Sequence, residues 1–326
     1  MKAHEATAAH AAAEPSAYWR EELESFDYML DASPLIVNRL RRHCYHVTGI
    51  HAYDYRSGRE AQRRKLAEKL VALRGLGHPD LLVPESPALG GFGFEVEGSL
   101  YNIDTLKFFE VLIAMERGGV LAPFRESPER GVVLEIGGGW GGFAYQFKTL
   151  FPNTTYVMVD LPELFLFSGT YLETLFPDAR VAYLTEDTPR DGAWADADFL
   201  FVPNTMLDRL RPDRLDLTVN MVSFQEMTTE QVRTYVDAAA RLGSRRLYSL
   251  NRDRSGMNAE LSSVSNVIAE RYETQHIDLL PVGYPKMLPD REMRPAVAWA
   301  AERASRLLRG RPVEDPPYRH LVGRLR

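Results

Sequence analysis

The chain has 326 residues, 45% of them hydrophobic and 26% charged, a balance that suits a soluble globular protein with one large and one smaller domain. A formal net charge of -6 and a pI near 5.8 give no electrostatic reason to expect a nucleic-acid or anionic-membrane partner. A single cysteine, Cys44, excludes an internal disulfide and a cysteine metal cluster, and is expected to be a packing residue. The Ala-rich start "MKAHEATAAHAAAEPS" lacks the apolar core of a secretion signal, and no run of about 18 apolar residues follows, so a cytoplasmic protein without a membrane span is expected.

Residues 17–76 read as helical, with "YWREELESFDYML", "LIVNRLRRHCYHV" and "REAQRRKLAEKLVALRGLG" each carrying apolar residues at helical spacing. Gly75 and Gly77 close the third, and "GIHAYDYRSG" is a loop. "GFGFEVEGSLYNI" alternates around Glu97-Gly98, which predicts a short hairpin. A very apolar helix, "DTLKFFEVLIAMERGG", follows, with Asp104 as its expected cap and Gly118 as its stop. No internal repeat is evident.

From residue 131 short apolar runs alternate with amphipathic helices, the pattern of a parallel sheet covered on both faces. Seven runs are expected as strands: "GVVLEI", "TYVMVD", "ADFLFV", "LDLTVNMVSF", "RRLYSL", "QHIDLL" and "YRHLVGRL". Between them "FAYQFKTLF" puts Phe143, Phe147 and Leu150 on one face, and Pro162 sits at a first helical turn. Thr228 with Gln231 forms a capping box for a helix that Gly243 ends. The expected division is a mainly helical region over residues 1–120, acting as a lid, acceptor-binding surface or dimerisation element, and an α/β domain over residues 121–326.

The first of these strands runs into "EIGGGWGGF", where five glycines in six positions let a ligand approach the backbone closely. Two patterns compete. Gly137, Gly139 and Gly142 satisfy the dinucleotide fingerprint G-x-G-x-x-G, while Glu135, Gly137, Gly139 and Gly141, with Gly138 between, satisfy E-x-G-x-G-x-G. The next strand ends in Asp160, where an acid can accept both hydrogen bonds of a ribose diol, a group both cofactors carry.

"VDLPEL", with Leu161 after the acid, and "DLTVNMVSFQEM" follow the loop in the order found in methyltransferases, and E-x-G-x-G-x-G resembles motif I of class I S-adenosylmethionine-dependent enzymes. From "GGFGFEVEGSLYNIDTLKFFEVLIAMERGG" to the end, roughly residues 85–326, the chain resembles bacterial sugar O-methyltransferases of natural-product and surface-glycan assembly. The resemblance implies a seven-stranded, Rossmann-like domain that binds S-adenosyl-L-methionine. It also implies that Glu135 organises the glycine loop or meets the amino acid end of the cofactor through water. A more distant similarity to plant-type O-methyltransferases rests on "GGGWGG", "DLPEL" and the fourth strand. There a histidine usually follows that strand as general base, and the matching residue here is Gln225. A neutral amide cannot take a proton, so the neighbouring Glu226 becomes the candidate base.

The remaining candidates carry two readings each. Asn204, after the third strand, either reads an adenine edge or is a turn residue. Asn220 is a satisfied buried amide or a cofactor contact. His43, His46 and His51 cluster in the helical region, and His46 is a further candidate for the catalytic site, although exposed helix and loop positions are the commoner fate. His276 and His320 are expected to pack. Asn102 and Asp104 offer polar contacts to a hydroxylated acceptor, as does Tyr284 in the long segment before the last strand. No spacing of Asp, Glu and His stands out as a metal site.

Three functions remain. The first is O-methylation of a sugar or glycosylated natural product, with a phenolic or polyketide acceptor as the alternative and a homodimer as a further expectation. The second is a nicotinamide-dependent sugar oxidoreductase or epimerase, against which stands the lack of a Tyr-x-x-x-Lys pair after the glycine loop. The third is a cofactor-binding protein without catalysis.

Overall fold

The computed structural model describes residues 17–188, 196–253, 263–279 and 317–326. In the helical region α1 spans Ala17–Ser25. The second expected helix is broken into three single turns, α2 (Pro34–Val37), α3 (Leu40–His43) and α4 (Tyr45–Thr48), the last ended by left-handed Gly49. The apolar side chains of this stretch are divided, with Leu40 and Cys44 in the core and Leu35 77% exposed. Helix α5 (Glu60–Arg74) ends at Gly75 as expected.

Strands β1 (Phe94–Val96) and β2 (Ser99–Tyr101) form the expected hairpin, with Glu97 and Gly98 both at positive φ. Helix α6 (Ile103–Arg117) then enters the core, but its cap is Asn102 rather than Asp104. Asn102 Oδ1 accepts from Thr105 N at 3.0 Å and Thr105 Oγ1 accepts from Asn102 N at 2.8 Å, a complete capping box whose cap stands two residues before the acid. Gly118 is the C-cap, and a single turn α7 (Ala122–Glu126) leads into the sheet.

The sheet contains β3 (Gly131–Ile136), β4 (Thr154–Asp160), β5 (Val181–Tyr183), β6 (Phe199–Pro203), β7 (Leu217–Met221), β8 (Arg246–Asn251), β9 (Tyr272–Ile277) and β10 (Arg319–Leu325). Their spatial order is β5-β6-β4-β3-β7-β8-β10-β9. Each of the seven expected runs meets a strand, although "QHIDLL" shares only Gln275–Ile277 with β9; the eighth, β5, is a three-residue edge strand too short to stand out in the sequence. Strands β5 to β8 run parallel, whereas β10 inserts antiparallel between β8 and β9. Helices α8 (Gly142–Leu150), α9 (Phe165–Leu175), α10 (Thr229–Arg241) and α11 (Val264–Ala269) cover the faces, giving a Rossmann-like α/β fold. Thr228 and Gln231 form the expected capping box of α10.

Alternate residues of each strand point to opposite faces and so feed two separate cores. Val133, Tyr156, Phe199 and Leu217 join α6, α8, α9 and the N-terminal helices, Cys44 included, in one apolar cluster; Leu134, Val157, Leu200 and Leu247 pack with α10 and α11 in another. The N-terminal helices therefore share their core with one face of the sheet. His320 is buried as expected, bridging Tyr248 Oη (2.6 Å) and Glu110 Oε1 (3.0 Å), but His276 is exposed on edge strand β9. Among the described residues no helix is long and apolar enough to cross a membrane.

Beneath the junction of the two regions lies a fully buried Arg41. Its Nε meets Glu85 at 2.7 Å, its Nη2 meets Asp104 at 3.2 Å, and its guanidinium lies 3.7 Å from the centre of the Trp140 ring. Removing one member of a buried ion pair strands the others away from water. Arg41→Met is expected to lower unfolding free energy by about 3–5 kcal/mol in denaturant titrations. The double variant Arg41→Met/Glu85→Met is expected to be more stable than Arg41→Met; a double variant that is less stable would mean the stranded charge is not the source of the loss.

Candidate functional site

The parallel register aligns the carboxyl ends of the central strands. Ile136 of β3 pairs Val159 of β4 and Asn220 of β7, and Asp160 of β4 pairs Pro203 of β6. Chain order reverses between β3 and β7, and the crevice outside such a reversal is where open α/β sheets hold ligands. A cavity of about 370 Å³ lies there, within the usual range for a small-molecule site.

Its floor is the glycine loop between β3 and α8. Gly137, Gly139 and Gly141 have φ of 75°, 56° and 83°, a region that costs a residue with a side chain 1–2 kcal/mol by the usual measure of about that size. The atoms that crowd them belong to the protein itself: a Cβ on Gly137 would lie 2.3 Å from Ser223 Oγ, one on Gly138 2.7 Å from Met158, and one on Gly139 2.8 Å from Val47. The loop is thus pressed against β7, β4 and the end of α4, and its glycines serve this close packing as well as any ligand.

Asp160 holds the loop in place. Its Oδ2 accepts from Gly139 N and its Oδ1 from Leu161 N, each at 2.8 Å. Burial pushes this carboxyl up to about 6, against the lowering effect of those two donors. Glu135, one strand over, is 1% exposed, accepts from Tyr156 Oη at 2.9 Å and is pushed up to about 8 by burial. Both acids and Leu161 edge the cavity. Asn204 edges the cavity from just after β6 and is a turn residue, its Oδ1 accepting from Thr205 N at 3.0 Å.

The far wall comes from the turn after β7. Val222 adopts φ 67°, a rare conformation for a β-branched residue, and its N–H donates to Leu250 O at 2.8 Å. The next turn, Phe224–Glu226, brings Gln225 and Glu226 to the cavity. Gln225 Oε1 accepts from Arg252 N at 3.1 Å and its Nε2 donates to Tyr318 Oη at 3.3 Å, so it braces the wall. Glu226 Oε2 accepts from Trp19 Nε1 of α1 at 3.1 Å, a contact that closes the N-terminal region over the cavity.

Four expectations are corrected. Asn220 does not reach the cavity: its amide is fully buried, donates to Ile136 O and Ser223 Oγ, and accepts from Phe224 N and Asn251 Nδ2. Asn102 is spent on its cap and on Phe92 O. Asp104 is fully buried between Arg41 and Lys107, so neither residue faces an acceptor. His46 lies outside the cavity, with Nδ1 3.0 Å from Ser25 Oγ and Nε2 3.2 Å from Tyr28 Oη; His43 shares that tyrosine at 2.7 Å, and His51 stacks on Tyr45. These histidines fasten α1 to the short turns, and burial holds His43 and His46 below the ordinary imidazole value. Tyr284 lies outside the described residues.

Trp19, Val47–Gly49, Lys107, Gln231, Tyr235 and Tyr318 also line the cavity and are not expected there from the sequence, in which Gln231 reads only as half of a capping box. Lys107 did leave a trace, being the one cation inside a helix whose other residues are buried up to Met115. Among the described residues no group of three or more His, Cys, Asp and Glu side chains is placed to hold a metal.

A glutamate held up to about 8 keeps its proton in the folded chain where the unfolded chain releases it. Its contribution to stability is therefore fully present below about pH 4.5 and is lost as pH rises toward 8. Glu135→Gln is expected to flatten the fall in stability across this window, read from denaturation midpoints at successive pH values. An unchanged slope would mean that Glu135 is ionised in the fold.

No family model matches the sequence, and no curated protein matches it. Solved structures similar to this chain include the N-methyltransferase NodS from Bradyrhizobium japonicum WM9, at 11% identity over 68% of this chain and 96% of that one, with a TM-score of 0.41. The precorrin-6y C5,15-methyltransferase from Geobacter metallireducens GS-15 matches at 12% identity over 64% and 86%, TM-score 0.37. The pyocyanin biosynthetic protein PhzM matches at 12% identity over 66% of this chain and 57% of its own length, TM-score 0.37. Likeness this distant carries no functional argument, which rests instead on the cavity.

Proposed function

We propose that the protein is an S-adenosyl-L-methionine-dependent O-methyltransferase whose acceptor is a hydroxyl of a sugar or glycosylated natural product. The observation that carries the reading is the pairing of Asp160 with the glycine loop: a buried carboxylate, held by Gly139 N–H and facing the same cavity, suits the two hydroxyls of a ribose. Strand order then suggests a path for the nucleoside, with adenine near Asn204 after β6, ribose at Asp160 after β4, and sulfur over the loop after β3.

S-adenosylmethionine supplies a methyl group activated by a cationic sulfur. Glu226 edges the same cavity and would take the proton of an acceptor hydroxyl as that oxygen accepted the methyl group and the thioether left. Holding donor and acceptor in line supplies several kcal/mol, and a positioned base contributes about 10²–10⁴-fold. Trp19 roofs this end and Tyr318 walls it, and aromatic faces of this kind suit either a sugar's apolar face or a flat phenol. A phenolic acceptor is therefore the second reading.

Because ligand at 100 times its dissociation constant adds roughly 2.7 kcal/mol, S-adenosylhomocysteine is expected to raise the melting temperature and NAD is not. A shift with NAD alone would overturn the proposal. Glu226→Gln, which keeps the acceptor for Trp19, is expected to slow single-turnover methyl transfer by about 10² or more while leaving cofactor affinity nearly constant. Wild-type rates in that variant would remove Glu226 from the chemistry.

A further inference from the structure

Lys107 is the only member of the buried charge network at the cavity's edge that also lines the cavity. Arg41 and Asp104 are fully buried, and Glu85 is nearly so, whereas the Lys107 side chain keeps 21% of its exposure. Asp104 Oδ1 takes one of its three ammonium donors, at 2.9 Å, and that carboxylate is also held by Arg41. Lys107 is thus fixed by a carboxylate that Arg41 holds as well, and it lies at the cavity's edge.

On the β3 side of the same cavity stands Glu135, near enough for Lys107 to pull its proton affinity down against burial. An ammonium group bordering one end of a cavity complements the carboxylate of an α-amino acid, and a protonated carboxyl group beside it still offers an oxygen to that ligand's ammonium. We propose that Lys107 binds the α-carboxylate of the cofactor's amino acid end, the end that the sequence resemblance already sets beside Glu135; this rests on the cofactor reading above. A lysine is suited to this as a compact point charge steered by a single anchor. The nucleoside end is assigned above to Asp160 and Asn204, neither of which pairs with Lys107, whose partner is Asp104.

The test compares two ligands by calorimetric titration: S-adenosylhomocysteine, and 5′-methylthioadenosine, which keeps the nucleoside and thioether but lacks the α-amino acid group. Lys107→Met keeps the aliphatic stem, leaves Asp104 paired with Arg41, and is expected to weaken S-adenosylhomocysteine at least tenfold while changing methylthioadenosine less than twofold. Lys107→Arg is expected to recover most of the loss. Equal weakening of both ligands would assign Lys107 a packing role, and unchanged binding of both would place the carboxylate elsewhere; either result overturns the inference. A wild-type protein that binds neither ligand overturns the cofactor reading itself, whereas one that binds both with equal affinity leaves that reading standing and removes only this inference.

Discussion

The site depends on one buried carboxylate. Asp160 ends β4, and by accepting from Gly139 N and Leu161 N it ties the loop after β3 to the turn after its own strand. Without it three left-handed glycines would be a costly and mobile connection; with it they become a fixed floor. Taking that charge out of water is unfavourable, as its raised proton affinity records, and among the described residues no cation sits beside it to offset the cost. Buried acids paid for by backbone donors alone are the kind of group found where a ligand supplies the remaining hydrogen bonds.

The second constraint is the way the N-terminal helices meet the sheet. They contribute to the apolar cluster of one face, and their polar contacts converge on the cavity from above: Arg41 under Trp140, Lys107 beside Glu135, and Trp19 on Glu226. Lys107 and Glu226 thus come from opposite sides of the chain's division; Lys107 is fixed by Asp104 of its own region, whereas Glu226 is met by Trp19 of the other. Strain at Val222 belongs to the same design, since the left-handed turn redirects the chain after β7 so that Gln225 and Glu226 face the opening.

Much of this was legible in the sequence because it depends on local chemistry. The glycines, Glu135 and Asp160 are set by strand ends and by a turn that needs positive φ, and the capping box of Thr228 and Gln231 is a four-residue signal. What could not be read depends on distant partners. Asn102 and Asp104 looked like polar groups for a ligand, but Asn102 caps its own helix and Asp104 answers a cation 63 positions earlier. Asn220 was ambiguous because its partners sit on β3 and β8, and His46 looked available until Ser25 and Tyr28 claimed both ring nitrogens. Strand β5 escaped notice because three residues carry no periodicity.

The central claim is that Asp160 and the glycine loop hold the ribose of an S-adenosyl nucleoside, and direct calorimetry on Asp160→Asn tests it most closely. The amide keeps one oxygen to accept from the backbone but loses the charge that receives the ribose hydroxyls. One S-adenosylhomocysteine is expected to bind per wild-type chain, with affinity reduced at least tenfold in the variant while its melting temperature without ligand stays close to wild type. Equal affinity in the two proteins would contradict the account.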